Sequence, residues 1–366
     1  MVIIEQALLD YTEAIKSQPN YIPAYVRRGL MFQQLNDESI AQLDFEVAIN
    51  LQPQTAQDYK SRGMAKLALE DQEGAVRDLS EAISIDPNYA EAYIIRGFVN
   101  SELGDKQRAI KDYSKAILLK PDYVGAYCNR GYIKYELFDK QGAFADLNAA
   151  IRLKPDSTYA YSTRGIVKSM FGDMKGAIAD YNEAILLNPN YAGIYLVRAI
   201  AKNSGGNKQG AIADYNEVVR INPDYALAYL NRGIAKYELG DDQGAIADYS
   251  EAIYCDPSYA EAYNNRANAR KNLNGKLADY DKAIQIKPDF AEAYNNRGNT
   301  KQDLGEQHSA IADYNKAIQI KPDFAEAYYN RGNAKKKLGD IQEALKDYNK
   351  AVQIKPDLLR MEDEGM

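Results

Sequence analysis

One spacing constrains this chain more than any other. Pro19, Pro53, Pro87, Pro121, Pro155, Pro189, Pro223 and Pro257 follow one another at intervals of 34 residues. A single step of 31 leads to Pro288, and steps of 34 resume to Pro322 and Pro356. A fixed period of this length marks stacked repeats, each too small to bury its own apolar face and dependent on its neighbours for a core. The stretch Ala90–Tyr123, AEAYIIRGFVNSELGDKQRAIKDYSKAILLKPDY, serves as reference, with Ala90 as position 1. Repeats then begin at Ile22, Ala56, Ala90, Val124, Thr158, Ala192, Ala226, Ala260, Ala291 and Ala325, ten over residues 22–357. The eighth, 260–290, is three residues short. Residues 1–21 match only the second half of a repeat, through Ala7, Asp10, Tyr11, Ala14, Pro19 and Tyr21, and residues 358–366 form a short acidic tail.

Apolar residues in each repeat recur with helical periodicity over positions 1–14 and 17–30, and no stretch alternates as a strand would. Between the two segments the Leu-Gly-Asp sequence (Leu103–Asp105 in the reference) predicts a turn with glycine as C-cap. The Lys-Pro-Asp-Tyr type of segment (Lys120–Tyr123) ends the second helix and extends to the next repeat. Such short connections predict antiparallel helix pairs and an all-α chain. Small residues at positions 8, 20 and 27 (Gly97, Ala109, Ala116) allow close helix approach, while Tyr93 and Tyr113 at positions 4 and 24 fill the remaining space.

This pattern resembles the tetratricopeptide repeat family, in bacterial-type array form. The resemblance implies a right-handed superhelical solenoid whose first helices line a concave groove. At 100° per residue, positions 4, 7, 8 and 11 share the core face, and positions 2, 5, 6, 9, 12 and 13 are expected in the groove. Two departures stand out. Position 7, usually apolar in the family, is arginine in all ten repeats, from Arg28 to Arg331; position 23 is aspartate in all ten, from Asp44 to Asp347. The two positions are symmetric about the turn, which predicts a ladder of Arg–Asp pairs inside the solenoid. The second departure is the short repeat. Lys276 stands where alanine is expected at position 20, which predicts a late-starting second helix and a distorted layer, either a hinge or a tolerated deletion.

Composition excludes several chemistries. A net charge of −7 argues against a general nucleic-acid binder, and 46% hydrophobic residues suffice for a continuous core. One histidine, His308, leaves no histidine-based metal spacing, and Cys128 in the groove has no histidine to activate it. Cys128 and Cys255 lie nearly four repeats apart, too far for a disulfide, which requires α-carbons within about 7 Å. The expectation is no enzyme and no cofactor. The N-terminal run is interrupted by Glu5 and Asp10, unlike a secretory signal, and no apolar run is long enough to span a bilayer. Cytoplasmic localisation and no membrane insertion are expected.

The groove carries the functional candidates. Its middle presents apolar groups, among them Ile94, Ile95, Phe98, Leu196 and Ile200. Of the tyrosines outside lattice positions, Tyr132, Tyr135, Tyr159, Tyr237 and Tyr329 fall on the groove face, and Tyr254 does not. Aromatics with a polar tip suit recognition surfaces, although a tyrosine-rich helix also scatters them by chance. Asparagine occupies position 6 at Asn129, Asn231, Asn265, Asn296 and Asn330, and position 9 at Asn268, Asn299 and Asn333. The position-6 row alone resembles the asparagine ladders that hold extended peptides in other helical-repeat superhelices, and Arg27, Ser61, Ile95, Thr163 and Val197 break it; the bland alternative is a solvated polar face. A terminal-carboxylate clamp is not predicted, because position 2 is often glutamate and only Lys60 is basic at position 5. The expected function is a non-catalytic scaffold that binds an extended or helical segment of a protein partner in its groove. A regulatory array cut from a larger enzyme or sensor, or a structural array associating end to end, are the alternatives.

Overall fold

A computed structural model describes residues 2–356, with side chains from residue 4 onward; the acidic tail at 358–366 lies outside the described residues. The chain divides into two compact bodies, Met1–Pro189 and Asn190–Met366. In the N-terminal body α1 (Val2–Ser17) precedes five helix pairs. These are α2 (Ile22–Gln34) with α3 (Glu38–Asn50), α4 (Ala56–Ala68) with α5 (Gln72–Ile85), α6 (Ala90–Glu102) with α7 (Lys106–Leu119), α8 (Val124–Glu136) with α9 (Lys140–Leu153), and α10 (Thr158–Met170) with α11 (Met174–Leu187). The C-terminal body continues the pattern. It holds α12 (Ala192–Ser204) with α13 (Lys208–Ile221), α14 (Ala226–Glu238) with α15 (Asp242–Cys255), α16 (Ala260–Ala269) with α17 (Leu273–Ile286), α18 (Ala291–Asp303) with α19 (Gln307–Ile320), and α20 (Ala325–Lys337) with α21 (Ile341–Ile354). The described residues contain no strand. Each body is a helical-repeat solenoid in which the first and second helices of a repeat pack on one another and, within the body, a second helix also packs on the first helix of the next repeat.

Local sequence sets the helix ends. Gly104, Gly172, Gly206, Gly240, Gly305 and Gly339 adopt φ of +81° to +86° after the first helices, a region open to glycine without steric cost. In repeats two and four Glu70 and Phe138 take the same left-handed place, and the residue after the turn commonly caps the second helix: the carboxylates of Asp71, Asp105, Asp139, Asp173 and Asp241 each accept a backbone N–H three residues on. Position 8 must be small because the second helix comes so close. A β-carbon added at Gly97 would sit 3.3 Å from the Tyr113 ring, and one at Gly233 would sit 2.7 Å from the Tyr249 ring.

The predicted ladder is present in every repeat. Each position-7 arginine forks onto its aspartate, with Nε to Oδ2 at 2.8–3.0 Å and Nη2 to Oδ1 at 2.5–2.8 Å, from Arg28–Asp44 to Arg331–Asp347. The aspartates are 3–5% exposed. Most receive a second cation from position 11: Lys66, Lys134, Lys168, Lys202, Lys236, Lys301 and Lys335 reach Oδ2 at 2.7–2.8 Å. Asn100 donates to Asp112 instead. The third guanidinium nitrogen points the other way. Nη1 of Arg28, Arg96, Arg130, Arg164, Arg232, Arg266, Arg297 and Arg331 bonds a side chain at position 25 of the preceding second helix, Thr12, Ser80, Ser114, Asn148, Asn216, Ser250, Asp281 and Asn315 respectively. Each guanidinium also lies 5.2–5.9 Å from the ring of the tyrosine at position 4. One side chain thus joins the two helices of its own repeat and ties that repeat to the one before.

The short repeat differs from expectation. Its second helix, α17, has the full 14 residues, whereas α16 has 10 instead of 13. The deletion therefore removes the last turn of the first helix, and the second helix does not start late. Arg270 at the C-cap is extended, donates to the Gly275 carbonyl at 2.9 Å and supplies Asp279 with its second cation. Arg266 and Asp279, 13 residues apart rather than 16, keep the same forked geometry. The ladder's register survives because both its partners lie outside the deleted turn.

Removing one member of a buried pair should cost more than removing both, since a lone carboxylate is left desolvated. Arg96→Leu is expected to destabilise the protein by about 3–5 kcal/mol, and Arg96→Leu with Asp112→Leu by clearly less, as read from urea unfolding curves. Acid should act on the same contact. Burial would raise the Asp78 carboxyl, but the hydrogen bonds from Arg62 and Lys66 outweigh it and hold the group below its ordinary value. A depressed native pKa gives stability that is present above the unfolded-state value and lost as pH falls through the native one. The urea midpoint should therefore fall as pH drops below about 4, and Asp78→Asn should flatten that fall.

Candidate functional site

Helical geometry alone places positions 2, 5, 6 and 9 on one open face. The packing of successive first helices side by side divides them. Position 5 turns into the seam towards the next repeat: Leu230 clusters with Ala262, and Cys128 with Ala160. Position 6 turns back towards the preceding repeat, as Ile95 does against the cluster of Leu79 and Ala82. Several expected groove residues are accordingly corrected. Cys128 is fully buried, and burial pushes its thiol up to about 12, so it is no nucleophile at neutral pH. Leu196, Asn264 and Asn295 are buried in the same way. Ile94 and Ile95 are half-buried against the Tyr113 and Leu79 clusters. Tyr135 packs edge-on to Phe171, with ring centroids 5.4 Å apart, and is half-buried.

Open side chains remain at positions 2, 9 and 12. In the N-terminal body Phe98, Tyr132 and Tyr159 are 50%, 38% and 51% exposed. Together with Asn129 and Ile133 they line one recess of about 220 Å³, edged by Glu102, Lys106 and Glu136. The recess has a fixed polar centre. Asn129 donates its amide to Tyr113 Oη at 3.2 Å and accepts from Tyr159 Oη at 2.5 Å. Tyr113 is buried, and desolvation raises its phenol. In the C-terminal body Ile200 and Tyr237 are likewise exposed.

A second recess of about 270 Å³ lies at the first three repeats, walled by Val26, Leu30, Met64, Ile94 and Ile95. Lys60 is buried there, its ammonium 2.9 Å from the Glu91 carboxylate and over the Tyr89 ring. Burial lowers the Lys60 pKa, but its hydrogen bonds to Glu91 and Tyr89 outweigh this and hold the ammonium above its ordinary value. The sequence signal for this pair is a lone basic position 5 followed by glutamate at the next position 2. Glutamates at position 2 elsewhere are also engaged: Glu261, Glu292 and Glu326 meet Lys287, Lys321 and Lys355 at 2.8–3.3 Å.

The asparagine row is largely bonded to the protein itself. At position 9, Asn268, Asn299 and Asn333 accept the hydroxyls of Tyr280, Tyr314 and Tyr348 at 2.6–2.8 Å. At position 6, Asn296 donates to Asn264 at 3.2 Å and Asn330 to Asn295 at 3.0 Å, across the seam to the preceding repeat. Asn264 in turn donates to Asn265 at 3.2 Å. Asn231 and Asn265 are half-buried on the same face. Sequence reasoning missed these tyrosine partners, though both ends of each bond recur at fixed positions. Among the described residues no cluster of histidine, cysteine, aspartate and glutamate could hold a metal, and no helix is long and apolar enough to cross a membrane. Native protein should release colour with Ellman's reagent from one thiol per chain, Cys255, and denatured protein from two, because Cys128 is inaccessible.

Models of the tetratricopeptide repeat match residues 124–157 and 325–358, and a related model described as a TPR repeat matches 101–137, 200–240, 235–274, 270–305 and 299–339. Together they span more than half of the chain. No curated protein matches it. Among solved structures the chain is similar to MamA, at 28% identity over 46% of this chain and 94% of that one, with a TM-score of 0.41. It is also similar to YrrB, described as a TPR protein with an unusual peptide-binding site, at 19% identity over 51% of this chain and 98% of that one, again with a TM-score of 0.41.

Proposed function

Because the chain belongs to the tetratricopeptide repeat family, we propose that it is a non-catalytic protein-interaction scaffold that takes a segment of a partner protein on the face of its first helices. One observation carries the reading: Phe98, Tyr132 and Tyr159 gather exposed around a single recess whose floor, Asn129, is held rigidly from both sides. Large aromatics left in solvent cost the isolated protein a burial it does not make, and such groups are enriched where partners dock. Their anchoring on helices, rather than loops, means little ordering is required on binding. The asparagine row is assigned a smaller part. Asn268, Asn299 and Asn333 serve core tyrosines, so peptide contacts in the C-terminal body fall to the amide groups of Asn231 and Asn265 and to Ile200 and Tyr237.

Affinity capture with quantitative mass spectrometry tests the proposal. Phe98→Ala with Tyr132→Ala and Tyr159→Ala should reduce recovery of specific partners at least tenfold, while the far-ultraviolet circular dichroism and thermal midpoint stay close to wild type. Undiminished recovery from the folded triple variant would place the partner surface elsewhere.

A further inference from the structure

One carboxylate at the Phe98 recess lacks the lysine that its place in the lattice receives elsewhere. Glutamate stands at position 13 in three repeats, as Glu102, Glu136 and Glu238. Two of these meet a lysine at position 17 of the preceding repeat: Lys106 reaches Glu136 at 3.4 Å and Lys208 reaches Glu238 at 3.0 Å. The corresponding residue before Glu102 is Gln72, a neutral amide, and Glu102 is exposed. The rim of the recess is thus two carboxylates against one ammonium, which Glu136 already engages. Inside it stand the rings of Phe98, Tyr132 and Tyr159. At its floor Asn129 Oδ1 accepts one bond from Tyr159 and keeps a second lone pair. The charge is felt at the rings: burial raises the Tyr132 phenol, and the Glu136 carboxylate adds to that shift.

These walls discriminate between side chains. A carboxylate would meet Glu102 and Glu136 with the one ammonium already paired. An aliphatic group would cover the rings, yet strip water from Glu102 and the Asn129 carbonyl without replacing it. A cation suits both parts, since aromatic faces carry negative quadrupole charge and the rim carries net negative charge. An ammonium is a compact, strongly hydrated point charge. A guanidinium is flat and more weakly hydrated, so it can lie against a ring while its separate N–H groups reach a rim carboxylate and a floor carbonyl. The chain makes the ring contact itself, with the Arg96 guanidinium 5.5 Å from the Tyr93 ring centroid. We propose that the recess takes the side chain of an arginine in the partner segment, its guanidinium against the rings and its N–H groups donating to Glu102 and Asn129 Oδ1. This rests on the scaffold reading, by which a partner segment docks here, and adds what that segment must carry.

The probe is a phage-displayed library of random dodecapeptides. It is panned on the full chain after depletion on the Phe98→Ala, Tyr132→Ala, Tyr159→Ala variant, so that recess binders are retained. Retained sequences should align on one arginine. A fluorescein-labelled synthetic copy of the most enriched peptide is then titrated with the chain and followed by fluorescence anisotropy. Citrulline in place of that arginine, which keeps the shape and removes the charge, should weaken binding by about tenfold. Glu102→Gln, an exposed and nearly isosteric change, should weaken it to a similar degree. The two together should lose clearly less than the product of the single losses, because they remove the same contact. Phe98→Leu, which keeps apolar surface but removes a ring face, should weaken the arginine peptide by about threefold and leave the citrulline peptide unchanged. Recess binders that align on an acidic, apolar or lysine side chain would overturn the arginine assignment and leave the scaffold reading standing. So would an arginine peptide indifferent to citrulline and to Glu102→Gln. A library yielding no sequence that prefers the wild-type chain to the triple variant would overturn both.

Discussion

The rest of the structure depends on a guanidinium that reaches in three directions. Two of its nitrogens grip a buried aspartate on the partner helix, the third reaches the preceding repeat, and its flat face lies near a tyrosine. An isolated buried charge would be prohibitive, and even a buried pair often contributes little net stability. Here desolvation is limited because the arginine side chains retain 14–21% exposure while the aspartates are nearly enclosed. What the pair supplies is register. Alanine, glycine and tyrosine surfaces can slide past one another at modest cost; a bidentate fork cannot, since a shift of one residue breaks both bonds and leaves a carboxylate unpaired.

The short repeat shows how far that constraint governs the fold. Losing three residues could have been absorbed anywhere between Ala260 and Phe290. It was absorbed in the last turn of α16, the segment with no ladder partner, and Arg270 took over the role that lysine plays in other repeats. Both partners and their geometry were preserved at the expense of a helix end. A solenoid built from nearest-neighbour contacts tolerates such local shortening as long as the interface on either side is intact.

A surface so regular separates its functional groups by default. Polar groups that recur with the lattice find partners within it, as the position-9 asparagines find the core tyrosines. Groups that do not recur, Phe98, Tyr132 and Tyr159, stand largely in solvent around Asn129, to which the Tyr159 hydroxyl donates.

Much of this was legible in the sequence. The proline spacing, the small residues at positions 8, 20 and 27 and the arginine and aspartate at 7 and 23 are repeated often enough that helix pairs and the ladder follow from one-dimensional periodicity. The face that each groove residue occupies was not legible in full. A helical wheel assigns angles relative to one axis, and it placed Cys128, Leu196 and Asn264 in the open. Whether such a residue meets solvent depends on how near the neighbouring first helix lies, a quantity set by side chains on other repeats. The second arginine bond, the Lys60–Glu91 pair and the tyrosine–asparagine contacts are likewise relations between helices. Periodicity determined which residues build the array; only the tertiary packing decided which of the remainder are left for a partner, because exposure belongs to the contact between helices and not to any one of them.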